Sequence, residues 1–386
     1  MVKPPTTYHL PPTNSNPRIA IVHDWLTNMG GAENVVLALH EAFPTAPIYT
    51  SVFTPETMPA FKGLDIRTTS LQQLPKSLRK LHKFFPTLRV RAFQKLDLSE
   101  YDIIISSSSA ESKQVRKTRD SQVHICYCHT PIRYYWSHYR EYKRDPGFGR
   151  LNWLVRLTMP LLIPRLKKAD YKAAQDVDIF IANSETVRER IKRYYHKTAT
   201  VIHPPVDIAR FEPTRQRSDY YVTVGRQIPY KHHDIVVEAA TKLGIKLKVF
   251  GNGGEHDRLV KLAGSTVEFY TDRFGDASDQ ALEKALNSAK GFIFPSEEDF
   301  GIVSVEALAA GTPVIGLARG GTLDIVQDGE SGILFTDQTV GAVIDAIQKA
   351  EATVFLPATL RRKARRFEKS LFIAKMRNIV QRSTQQ

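Results

Sequence analysis

Two carboxylates stand eight residues apart in Phe294-Pro-Ser-Glu-Glu-Asp-Phe-Gly-Ile-Val-Ser-Val-Glu306. Glu298 falls in a loop and Glu306 inside the helix predicted after it. Eight helical residues rise about 12 Å, too far for the pair to act on one atom as acid and base. The spacing suits two ends of a long ligand held through its hydroxyls. Glu306 has apolar helix neighbours, where a lone carboxylate is costly to bury, so it should meet a partner or ligand. A second segment, Val224-Gly-Arg-Gln-Ile-Pro-Tyr-Lys231, puts Arg226 and Lys231 after a strand and a glycine, with Lys231 at the predicted start of a helix. A cation there opposes the helix dipole. It becomes favourable with a diphosphate between Arg226, Lys231 and the backbone amides; two solvated surface charges are the alternative. Third, Gly30-Gly31 opens a helix. Glycines admit close backbone approach and helix N-terminal amides attract anions, although a plain strand-to-helix turn needs the same residues. The pattern is not G-x-G-x-x-G, so the dinucleotide fingerprint is missing.

The elements that must hold these residues alternate. Arg18–His23 reads as a buried strand, 32–43 as an amphipathic helix and Pro47–Phe53 as another strand, a βαβ opening on a parallel sheet. Further strands are predicted at Tyr101–Ser106, Val123–Cys128 and Ile179–Ala182. A Pro-rich, charged stretch over 203–218 reads as a linker. The grammar then restarts: strand Tyr220–Val224, helix Lys231–Leu243, and strands Lys246–Phe250, Thr266–Phe269, Gly291–Phe294 and Pro313–Gly316. Gly311 ends the helix Ile302–Ala310 as a C-terminal cap residue should. The prediction is an α/β protein of two Rossmann-like domains facing a cleft, a common place for ligands.

Composition narrows the functional classes. With 42% apolar and 24% charged residues in 386, the chain can build cores without disulfides. Cys126 and Cys128 read as reduced thiols on one face of a buried strand, which fits a reducing cytoplasm. Residues 1–17 have no apolar secretory core, and Leu151–Pro164 is too short and interrupted to span a membrane. The net charge of +14 is uneven: residues 1–200 hold 30 Lys+Arg against 17 Asp+Glu, while 201–386 hold 24 against 23. The basic half should attract something anionic. No zinc-finger spacing, RNP-type aromatic run or basic zipper is present, so nucleic acid is not the expected partner. Lys76–Arg91 clusters cations among Leu74, Leu78, Leu81, Phe84, Phe85 and Leu88, the composition of an interfacial helix docking on the inner face of an anionic membrane; a core-packing helix with solvated lysines is the alternative.

Glu298-x₇-Glu306 continuing to Gly311-Thr-Pro-Val314, Arg226 with Lys231, and Gly30-Gly31-Ala-Glu33 together resemble the retaining glycosyltransferases of family four, with the GT-B fold. Asn183-Ser184, Pro204-Pro-Val-Asp207, Gly251-Asn-Gly253 and Gly320-Gly321 match as well, so the resemblance runs from about residue 18 to the C-terminal helix. His23-Asp-Trp25 and Cys128-His-Thr-Pro131 look closest to bacterial mannosyltransferases of surface-polysaccharide assembly. The resemblance implies an N-terminal acceptor-binding domain over 17–203, joined by the helix 372–386, and a nucleotide-sugar-binding domain over 204–371. It implies that Gly30 and Gly31 approach the donor diphosphate, that Arg226 and Lys231 clamp it, and that amides of Phe300, Gly301, Ile302 and Val303 complete that site. Glu298 would bind donor-sugar hydroxyls, Glu306 the ribose, and His129 would face the reacting sugar. The implied reaction moves a hexose, mannose from GDP-mannose as the leading choice, onto a saccharide or lipid-linked saccharide, with no cofactor. Asp324 stands where the family usually has Glu, and Tyr270–Ser278 is longer than the usual turn.

Rival readings remain. Asp176-Val-Asp178 spells the D-x-D of metal-dependent glycosyltransferases, but it sits at a helix-to-strand junction, where aspartates cap and solvate turns. His232-His233 lacks a third ligand at metal spacing. His129 also reads as a structural histidine at a strand end. A GT-B-like sugar-nucleotide epimerase or hydrolase, and a non-enzymatic nucleic-acid-binding protein, are the alternative functions.

Overall fold

In the computed structural model the described residues are 17–137, 139, 143, 152–214, 216–271 and 276–385. The chain divides into two compact units, Met1–Pro204 with Phe372–Gln386, and Pro205–Leu371.

The first unit is built on a parallel sheet of β1 (Ile19–His23), β2 (Ile48–Thr50), β3 (Ile66–Thr68), β4 (Ile103–Ser108), β5 (Val123–Cys128), β6 (Ile179–Ala182) and β7 (Ala199–Val201). Their spatial order is β3-β2-β1-β4-β5-β6-β7. Strand order reverses between β1 and β4, and the crevice beyond the carboxyl ends at such a point is where open α/β sheets take ligands. β3 and β7 are short, half-exposed strands that the sequence pattern did not predict. The helix Gly31–Ala42 covers one face of the sheet, burying Val35, Val36 and Leu39. The C-terminal helix Lys369–Ser383 returns to that core through Phe372, Ile373, Met376 and Val380, and Arg377 Nε donates to the carbonyl of Ala42 at 3.1 Å. Cys126 and Cys128 are free thiols buried on one face of β5, as their two-residue spacing predicts.

The second unit is a parallel sheet of β8 (Tyr220–Val224), β9 (Lys246–Phe250), β10 (Val267–Tyr270), β11 (Gly291–Phe294), β12 (Val314–Leu317) and β13 (Gly332–Phe335), in the order β10-β9-β8-β11-β12-β13. Its reversal lies between β8 and β11. Two apolar clusters fill its two faces, centred on Phe292, Leu308 and Val314, and on Val236, Val249 and Ile315.

Two predicted elements are corrected. Lys231 does not begin a helix. Pro229–Lys231 is a 3-10 turn, His232 follows in the left-handed region at φ 51°, and the helix is His233–Leu243. Pro229 fixes the turn's φ, and the left-handed residue breaks the helical run. Lys76–Arg91 is not one interfacial helix. It is a short helix Lys76–Lys80, a 3-10 turn His82–Phe84 and a helix Pro86–Gln94 with proline at its first turn. Arg89 is drawn inside, where its Nε donates to Glu111 Oε2 at 2.7 Å and its Nη2 to Oε1 at 3.0 Å. The lengthened turn over 270–278 has residues 272–275 outside the described set. Among the described residues no helix is long and apolar enough to cross a membrane.

Candidate functional site

Each unit presents its chemistry at its own strand-order reversal. In the second unit the loop after β8 carries Gly225, Arg226 and Lys231, and the loop after β11 carries Glu298. Lys231 Nζ donates to Glu298 Oε1, so the predicted phosphate cation and the predicted sugar-binding carboxylate meet directly. Arg226 is exposed, with its Nη2 3.4 Å from the Tyr230 hydroxyl. Glu306 lies on the helix Ile302–Ala309 and meets Arg210, whose Nη2 donates to Glu306 Oε1 at 3.2 Å. Arg210 was not singled out from the sequence; its only signal was a cation shortly after Pro204-Pro-Val-Asp207.

Glycines of neighbouring loops set the spacing of this site. A Cβ on Gly251 would lie 2.2 Å from the carbonyl oxygen of Gly225, and one on Gly321 2.3 Å from the Phe300 Cα. Loops after β9 and β12 thus press against the backbones that carry Arg226 and Glu298. Phe300 is buried against Phe367, ring centroids 5.5 Å apart. Gly301, at φ 86°, then turns the chain into the helix, whose first amides must find acceptors outside it.

In the first unit Gly30 is the N-terminal cap of the helix Gly31–Ala42. A Cβ there would lie 3.0 Å from Glu33 Oε2, so the glycine makes room for this unit's own carboxylate. Glu33 Oε1 is 3.6 Å from His23 Nε2. His23 Nδ1 donates to the Ser107 carbonyl at 3.0 Å and lies 3.2 Å from Ser107 Oγ. Ser107 Oγ in turn is 2.8 Å from His129 Nε2. A chain Glu33–His23–Ser107–His129 therefore runs along the carboxyl ends of β1, β4 and β5. Burial pushes the His23 imidazole down, but its bond to Glu33 and the charges of Glu33 and Asp24 outweigh burial and leave it above its ordinary value. Asp24 accepts from the amides of Ser109, Ala110 and Ser112 at 2.7–2.8 Å, fixing the loop after β4. Burial raises its carboxyl, yet the His23 charge and these amides hold it below the usual value. Sequence reading placed His129 but missed His23, Glu33 and Ser107 as its supports; His23-Asp-Trp25 was the available signal. A cavity of about 480 Å³ opens nearby, lined by Thr27, Asn28, Thr57, Lys76, Arg79 and His82 among others.

The rival metal motif is occupied in the structure. Asp178 accepts from Lys117 Nζ at 2.8 Å and from the His124 amide at 2.8 Å. His233 is buried, with Nδ1 3.5 Å from Thr223 Oγ1. Among the described residues no three or more His, Cys, Asp or Glu gather where they could hold a metal ion.

Residues 29–210 match the family model Glycosyltransferase Family 4, and residues 206–367 match Glycosyl transferases group 1. The D-inositol 3-phosphate glycosyltransferase of Mycolicibacterium smegmatis is 31% identical over 204 residues, 47% of this chain and 46% of the relative. That of Mycobacterium bovis is 36% identical over 166 residues, 38% and 35% of the two chains. The matches thus span about half or less of these curated relatives. Among solved structures, sucrose-phosphate synthase from Thermosynechococcus elongatus superposes with TM-score 0.70 at 18% identity, covering 95% of this chain and 99% of that one. Anabaena HepE in complex with UDP and glucose does so with TM-score 0.68 at 16% identity, covering 95% and 100%. At these identities the superpositions establish the GT-B fold, with its two Rossmann-like domains, and nothing of substrate.

Proposed function

Since the chain carries a Glycosyltransferase Family 4 domain followed by a Glycosyl transferases group 1 domain, we propose that it transfers a hexose from a nucleotide sugar to a saccharide or lipid-linked saccharide hydroxyl, with retention and without a divalent ion. The observation that carries the reading is the Lys231–Glu298 pair at the second unit's strand-order reversal, beside Arg226 and the helix bearing Glu306.

The donor diphosphate lies by Arg226, Lys231 and the amides of Phe300–Val303, where fixed cations and dipoles meet the charge that grows on the leaving group. Glu298 releases Lys231 to the phosphate and accepts from sugar hydroxyls. Glu306, held by Arg210, accepts from the ribose. The bond from the anomeric carbon to the diphosphate breaks as the acceptor oxygen bonds on the same face, and the departing phosphate oxygen takes the acceptor's proton. His129, held by Ser107, is the histidine that the family resemblance assigns to the reacting sugar. The 480 Å³ cavity with Lys76 and Arg79 suits an acceptor bearing an anionic group.

Mannose from GDP-mannose remains the donor of choice on the wording of the motifs around His23 and His129. The relatives named above carry a different activity name, and HepE was solved with UDP, so a UDP-sugar is the competing donor. A thermal-shift series with GDP, UDP, ADP and their sugars separates them, because a bound ligand raises stability by mass action. Transfer of labelled hexose should persist in EDTA; full loss restored by Mn²⁺ or Mg²⁺ contradicts the metal-free mechanism.

A further inference from the structure

The helix Asn152–Gln175 faces two ways. Met159, Ile163, Leu166, Asp170 and Ala173 are buried, one face at 3.6 residues per turn. Trp153, Leu157 and Leu161 fall on the opposite face, one turn apart, and are 65%, 66% and 67% exposed. Leu154 and Leu162 flank them, also exposed. The exposed line continues through Pro164 to Lys168 and Lys172, with Arg156 and Arg165 exposed at its sides. The helix has a single acid, Asp170, and it is buried on Lys113 at 2.5 Å. The outer face is therefore apolar for about 12 Å of helix and cationic beyond, with no acid. A neighbouring element adds to it. Val90 of the helix Pro86–Gln94 shares a cluster with Met159 and Ile163, and the adjoining Leu78, Leu81, Phe85 and Leu88 are exposed.

We propose that the Trp153–Leu157–Leu161 face, with Arg156, Arg165, Lys168 and Lys172, docks on an anionic lipid bilayer. Large apolar side chains entering the acyl boundary beside cations at headgroup level define interfacial binding, and a Trp suits the boundary itself. The charge selects this occupant. A second copy docking through the same patch would bring two sets of cations to one interface with no acid on this face to pair them, whereas anionic headgroups neutralise them. The excess of cations in residues 1–200 has the same sign. The contact thus centres on this helix rather than on the segment Lys76–Arg91. It does not depend on the proposed sugar chemistry, and its test needs no substrate.

The full chain is sedimented with vesicles of phosphatidylcholine alone and with added phosphatidylglycerol, at low salt and at 1 M NaCl. The protein should bind the anionic vesicles, bind the neutral ones weakly, and detach in high salt, where the screening length falls to about 3 Å. Combined Trp153→Ser, Leu157→Ser and Leu161→Ser should weaken binding roughly tenfold or more at unchanged melting temperature, since these side chains are exposed. Combined Arg165→Gln, Lys168→Gln and Lys172→Gln should weaken binding to anionic vesicles only. Wild-type protein left in the supernatant with anionic vesicles at low salt overturns the proposal. So does a serine variant that binds as wild type, or a wild-type dimer in sedimentation velocity that the serine variant abolishes.

Discussion

The Lys231 ammonium donates to the Glu298 carboxylate, joining the loop after β8 to the loop after β11. Two groups assigned to different parts of one ligand hold each other in place, so removing either alters the other.

Lys231→Ala should lower diphosphate affinity by about 10- to 100-fold, the worth of a charge-assisted hydrogen bond of roughly 1.5–3 kcal/mol. Glu298→Gln should spare the bare nucleoside diphosphate, because Lys231 is freed for it, while cutting turnover of the sugar donor. Isothermal titration of both variants decides the matter; equal losses of nucleotide affinity would contradict the assignment.

Arg210→Ala should weaken nucleotide binding a few-fold and Glu306→Ala more. Arg210 is exposed and acts through the more buried carboxylate, and such solvated pairs are worth about 1 kcal/mol or less. The double variant should bind no worse than Glu306→Ala alone. Additive losses would mean that Arg210 touches the ligand itself.

Ser107→Ala and His23→Gln should lower kcat without raising the KM for the donor, because both act through the position of His129. The His23 contribution to stability is present below its unfolded pKa, near 6.5, and is lost as pH rises through its higher folded value. A lower melting temperature with unchanged kcat would reduce the chain to a packing role.

Burial pushes His124 down to about 4 despite the nearby Asp178 charge. Unfolded chains take up a proton there below about 6.5 and the folded protein does not, so stability falls as pH drops from 6.5 towards 4, by up to roughly 3 kcal/mol. Melting temperature against pH for wild type and His124→Gln tests this. The variant's curve should be flatter over that window, and parallel curves would disprove the attribution.

Local sequence pattern determined the alternation of strands and helices, their restart at β8, the helix that bears Glu306 and the buried pair of thiols, but the stretch 203–218 that it read as a linker packs Val206, Ile208 and Phe211 into the second unit's core. Each depends on neighbours a few residues away: apolar runs, turn glycines and prolines, and the two-residue period of a strand. It also singled out Glu298, Glu306, Arg226 and Lys231, because their types and spacing are unusual for packing alone, whereas His129 entered through the family resemblance. Partners were another matter. Lys231 meets Glu298 across 67 residues, Arg210 meets Glu306 across 96, and Ser107 reaches His23 across 84. The first and last of these close because strand order brings β8 beside β11 and β1 beside β4, and the Arg210 pair because Ile208 and Phe211 pack into the same core cluster as Ala307 and Leu308. The same holds for Arg89, which composition places among surface cations and the fold draws onto Glu111. Side-chain types and short spacings are properties of the chain, while a hydrogen-bond partner is a property of which strand lies next to which, and only the folded sheets decide that.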